Sequence, residues 1–194
     1  SITAQLYWNY FKQNRYKLYQ RTNTINFDKK DIATWTSDDL HQKIAELYVA
    51  SLKYETLLQQ TKLEPFDAII LKGNVRNLRP SLFDLLAHRA LDYFKNDERD
   101  ITRPAYAFEI SQNVVFADAN IFINEKFATK DSASLHQKAL IIFQKLLAFH
   151  TNDAKPDALI DADLERINFA YQYGVMQNKD ELYINALKHL NEKY

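Results

Sequence analysis

No cysteine occurs in the 194-residue chain, which removes disulfide staples, thiol nucleophiles and cysteine-ligated zinc together. Glycine is nearly as scarce, with only Gly73 and Gly174. Phosphate-cradling loops, tight β-hairpins and nucleophile elbows need glycine where φ is positive, so several enzyme classes fall away with it. Excess charge of one sign is missing too: Lys+Arg and Asp+Glu each total 25 and alternate along the chain. Nucleic acid or an acidic membrane surface would need a basic field, and none is present. No run approaches the roughly 20 apolar residues of a membrane span, and no leader pattern opens the chain.

What is there is helix-forming. Ile2 to Gln20 places Leu6, Tyr10, Phe11 and Leu18 at helical spacing, with Tyr7 and Trp8 widening the apolar stripe. Arg21 to Trp35 loses periodicity and reads as an ordered connection. Thr36 or Ser37, with Asp39 following, caps a second helix to about Gln60, buried along Leu40, Ile44, Leu47, Tyr48, Ser51, Tyr54 and Leu58. Pro65 starts a short helical turn ending before Gly73, which suits a left-handed cap. Arg79-Pro80-Ser81 begins a third main helix facing inward through Leu82, Leu85, Leu86, Ala90 and Phe94.

Segment 100–116 alternates at period two, which leaves room for one short strand pair near 105–116, although an extended connection is preferred because two isolated strands are marginal. A short helix over Ala117 to Lys126 follows. Ser132 then caps a helix to about His150, facing in through Leu135, Ala139, Ile142, Leu146 and Phe149. Pro156 opens another, with Ile160, Leu164, Ile167 and Tyr171 inward as far as Gly174, and Lys179 to Tyr194 forms the last. Short connections make consecutive helices antiparallel neighbours. The expected fold class is all-α: antiparallel α-hairpins in a tetratricopeptide-like array or an irregular bundle. One domain over 1–194 is expected, divisible into 1–98 and 117–194. Ala186-Leu187, Leu190 and Lys193-Tyr194 follow the second-helix pattern of a tetratricopeptide unit.

The search for chemistry returns little. Five histidines are scattered, and His88 with Asp84 and Asp92 on one helix face is the best local grouping, more simply read as a partly solvated, ion-paired surface. Asp161, Asp163 and Glu165 lack the glycine and distal glutamate of a calcium loop and read as first-turn acids. No catalytic residue, metal site or cofactor is expected. Twelve Tyr, twelve Phe and two Trp are the distinctive content. Tyr7, Trp8, Tyr10 and Phe11 cannot all face one way, so Tyr7, Trp8 and Tyr10, with Tyr171 and Tyr173, are the expected interaction surface.

Several segments resemble a known family. They are Leu6-Tyr7-Trp8-Asn9-Tyr10-Phe11, Asn14-Arg15-Tyr16, Gln20-Arg21-Thr22, Asp31-Ile32-Ala33-Thr34-Trp35, Leu78 through His88, Arg103-Pro104-Ala105-Tyr106-Ala107-Phe108 and Ala158 through Arg166. Together, over nearly the whole chain, they resemble the helical N-terminal region of the large α2-macroglobulin-like proteins of Bacteroidetes. That resemblance implies an exported protein, lipid-anchored and facing the periplasm or cell surface, whose later modules trap proteases. The family's thioester requires a cysteine, so no trapping residue carries over. A start on a helical pattern without an initiator Met, and an end at Tyr194 within another helix, lead to the same expectation of a segment from a longer polypeptide. The function expected is a non-enzymatic scaffold that docks downstream domains or other cell-envelope proteins. The alternative is a glycan- or peptide-binding helical module with an aromatic-lined face.

Overall fold

The structure, a computed structural model, describes residues 1–21, 30–71, 73, 75–99 and 104–194. Among these residues the protein is all-α, with eight α-helices: α1 (Ile2–Tyr19), α2 (Ser37–Ser51), α3 (Glu55–Gln60), α4 (Leu82–Phe94), α5 (Ala119–Phe122), α6 (Leu135–His150), α7 (Asp157–Tyr173) and α8 (Lys179–Lys193). Cross-helix partners fix their directions. The start of α1 meets the end of α2 through Gln5 and Tyr48, and the start of α6 meets the end of α7 through His136 and Tyr173. α8 runs back along α7, with Tyr183 stacked on Tyr171 and its far end at Asp118. α4 lies antiparallel to α6, Phe83 meeting Phe149, and also touches α2 and α3. One hydrophobic core runs from Ala4 to Leu190.

The helix starts follow local chemistry. Thr36 caps α2 and Ser81 caps α4, each in a reciprocal capping box with the aspartate three residues on, Asp39 and Asp84. Ser134, not Ser132, caps α6. α1 buries Ala4, Phe11 and Leu18, a seven-residue repeat, and leaves Leu6 64% exposed against expectation. The expected second helix is two. The Ser51 hydroxyl donates to the Tyr48 carbonyl, while the Leu52 and Lys53 amides reach back only three residues; the tightened turn ends α2. Leu52 is buried there in place of Tyr54, which is exposed.

The faces of α4 and α7 are rotated from the apolar stripes expected. α4 buries Phe83, Ala87, Ala90, Leu91 and Phe94 together with Asp84 and His88, leaving Leu82, Leu85 and Leu86 half-buried. α7 buries Asp163 and Arg166 and leaves Leu164 and Tyr171 exposed. Between 104 and 116 no strand pair forms. Ile110 instead makes a single parallel bridge to Gly174, accepting from the Val175 amide at 3.0 Å, and residues 113–116 are a 3₁₀ turn. The 117–126 helix is the single turn α5. Gly73 is not left-handed, and a Cβ there would meet nothing. Residues 22–29 of the expected 21–35 connection and residues 100–103 of the 100–116 segment lie outside the described residues; in the described part of the connection Asp31 caps a 3₁₀ turn over Ile32–Thr34.

Candidate functional site

The chain's titratable chemistry is largely buried between helices. His150, at the C-terminal end of α6, places Nε2 2.7 Å from Asp84 Oδ1 and Nδ1 2.7 Å from Asp153 Oδ2. Carboxylates only accept, so both ring nitrogens carry protons and the ring is an imidazolium. Burial alone would lower its pKa. The hydrogen bonds and charges of Asp84 and Asp153 outweigh that and raise it above the ordinary value. The geometry also suits the helix dipoles, with a cation at the end of α6 and an anion in the first turn of α4. Asp84 is fully occupied: its Oδ2 accepts from the Ser81 amide at 2.9 Å and from the Ser81 hydroxyl at 2.7 Å.

The expected His88–Asp84–Asp92 grouping does not converge. Asp84 turns to His150, Asp92 is exposed, and His88 meets α7 instead, its Nδ1 2.8 Å from Glu165 Oε2 but off the line of a good hydrogen bond. Lys95 holds the other Glu165 oxygen. Burial would raise the Glu165 pKa, but His88 and Lys95 bring it down to about 2. Asp161, Asp163 and Glu165 are not first-turn acids, because α7 begins at Asp157. Asp163 accepts from Arg166 Nε at 2.7 Å, and burial keeps its carboxyl pKa raised even beside that guanidinium. Arg166 is fully buried. It also donates to the Val115 and Ala117 carbonyls at 2.6 and 2.9 Å and lies 4.6 Å over the Phe122 ring. That one side chain fastens the 113–122 segment to α7. Among the described residues no three His, Cys, Asp or Glu side chains are placed to hold a metal ion.

A second arrangement is open. α2, the start of α6 and Arg99 enclose a cleft of about 470 Å³ lined by Asp38, His41, Gln42, Ala45, Glu46, Val49, Ser132, Ala133 and Lys138. His41, at its base, is buried within an aromatic cage of Trp8, Phe11 and Tyr93. Its Nδ1 is 2.8 Å from the Tyr93 hydroxyl, and its Nε2 has no partner. Burial first, then the charge of Arg99, lowers its pKa to about 4, so the ring is neutral at pH 7. Sequence reasoning passed over His41, whose cage comes from two other helices, α1 and α4.

The aromatic residues expected at a contact surface are dispersed. Tyr7, Trp8 and Tyr10 are half-buried against the core, Tyr7 stacked on Trp35 and Trp8 on Phe11. Tyr173 packs on His136 and Phe169, and Tyr171 is exposed, stacked on Tyr183. Exposed aliphatic side chains also lie close in sequence on the strap between α3 and α4, where Ile69, Leu71 and Val75 are 77%, 99% and 56% exposed. Leu71 and Val75 also edge a shallow cleft of about 390 Å³ with Leu63, Leu85 and Arg79. No helix among the described residues is long and apolar enough to cross a membrane. No family model, curated protein or solved structure matches the chain.

Proposed function

We propose that this protein is a non-enzymatic helical interaction module, the scaffold at the front of an exported, cell-envelope-anchored protein of α2-macroglobulin type. The membership and the location rest on the sequence segments that resemble that family. The interaction role rests on the strap. Three aliphatic side chains at Ile69, Leu71 and Val75 are exposed within seven residues, Leu71 and Val75 edging one cleft, and exposed apolar side chains grouped in this way mark a contact site. The rest of the chemistry supports a holding role. The buried acids and bases are joined across helices, where each maintains the position of an element: His150 between α4 and α6, Glu165 between α7 and α4, Arg166 between α7 and the 113–122 segment. The occupant of the strap is a downstream domain of the same polypeptide.

Amide hydrogen exchange on the chain alone and within the natural full-length protein tests the reading. The strap amides near Ile69, Leu71 and Val75 exchange at least tenfold more slowly in the full-length protein. Equal rates in both, with the core protected in both, overturn it.

A further inference from the structure

The cleft beside His41 goes beyond a scaffold's needs and stands independently of the strap. Two cations border it without close acid partners. Arg99 has Asp131 at 3.9 Å and Asp38 at 4.0 Å, both at the limit of an ion pair. Lys138 donates only to backbone, to the Ser132 and Ser134 carbonyls at 2.6 and 3.2 Å. Glu46, the other acid at the rim, accepts from Gln42 at 3.0 Å. Burial first and Arg99 second hold the Lys138 pKa below its ordinary value, as they do for His41. Asp131 offsets only part of the Lys138 shift, and an anion between the two cations would relieve the rest.

The base of the cleft has an unmet group as well. The Tyr93 hydroxyl lies 2.8 Å from His41 Nδ1 and 3.2 Å from the His41 carbonyl. The carbonyl can only accept, so the phenol donates to it, and His41 Nε2 is left buried without a partner. Along α2 the cleft changes character. Asp38 and His41 lie at the charged end near Arg99, and Ala45 and Val49, one to three turns on, add apolar wall with Glu46 between them held by Gln42. The N-terminal end of α6, carrying its own partial positive charge, closes the same side. We propose that this cleft binds the carboxylate of an apolar chain, with the head between Arg99 and Lys138 above His41 and the tail along Ala45 and Val49. A peptide C-terminus and a free short-chain acid both present that chemistry.

Long-range ¹H–¹⁵N spectra of the histidine rings, recorded on the wild-type chain, read the site directly. The probes are hexanoate, acetyl-Ala-Leu-Val with a free carboxylate and the same tripeptide as its C-terminal amide. The acid tripeptide shifts the His41 ring resonances saturably, the amide does so at least tenfold more weakly, and R99Q together with K138Q lowers the acid's affinity at least tenfold. Binding of hexanoate as well identifies a general carboxylate site, and its failure beside a bound acid tripeptide identifies a peptide C-terminus; either supports the proposal. Equal binding of acid and amide, or no shift of His41 with any probe, overturns it.

Discussion

Acidification isolates one residue. His41 is neutral and buried in the folded chain, with its pKa lowered from 6.5 to about 4, and an unfolded histidine titrates at its ordinary value. Between those values the unfolded chain binds the extra proton, so stability falls as pH falls. From pH 7 to 4.5 the loss is about 2.5 kcal/mol, with a limiting slope near 1.4 kcal/mol per pH unit. The other shifted groups act alike in wild type and in a His41 variant; among them Asp163, with its raised carboxyl pKa, gains stability as pH falls toward its ordinary value. His150, with its raised pKa, contributes stability that is fully present below 6.5 and lost as pH rises through its folded value. Glu165 and Asp118, both lowered to about 2, lose their contributions only as pH falls below the ordinary carboxylate range. Urea denaturation at half-unit steps from pH 4.5 to 7, on wild type and H41F, measures the term. Phenylalanine fits a cage already built from Trp8, Phe11 and Tyr93 and cannot titrate. Wild type shows the fall and H41F a profile flatter by about 2 kcal/mol. Parallel profiles for the two proteins would refute the burial argument.

Four further outcomes follow from the same contacts. L146A, at a fully buried position of α6, costs about 2–5 kcal/mol in urea denaturation, whereas the half-buried Leu86 tolerates alanine better. D84N breaks a buried pair and costs about 3–5 kcal/mol; in the same variant the His150 pKa, followed by NMR, drops toward or below 6.5. R166M leaves the Val115 and Ala117 carbonyls and Asp163 without their donor, and amide exchange over 113–122 speeds up more than in α1 or α2. G174A places a Cβ 2.5 Å from the Ala170 carbonyl oxygen, and its melting temperature falls even though no left-handed backbone is involved.

The helices themselves were legible in the sequence, because capping and periodicity act within a few residues. Thr36 with Asp39, Arg79-Pro80-Ser81 before α4 and Pro156 before α7 mark starts that the structure reproduces. The orientation of α4 and α7 was not legible. Amphipathic reading sends charges outward, yet here Asp84, His88, Asp163 and Arg166 turn inward because their partners wait on other elements. Those partners are remote: His150 lies 66 residues from Asp84, and Val115 lies 51 from Arg166. Nothing in a local window announces such a pair, so Leu164 and Tyr171 read as core and are exposed. The His41 cleft was hidden for the same reason, since Trp8, Tyr93, Arg99 and Lys138 meet it only after folding. The break at Ser51 has a local cause, a hydroxyl bonded to the Tyr48 carbonyl, but a serine within an apolar period gives no sign of which way it will donate.

The central claim is that the strap between α3 and α4 is a contact surface. A photo-cross-linking side chain at Leu71, introduced into the natural full-length protein, tests it most directly, with the exposed Gln13 of α1 as control position. The account predicts a discrete adduct from position 71, mapping to a downstream domain of the same polypeptide, and none from position 13. Reaction at 71 with solvent alone, indistinguishable from position 13, would contradict it.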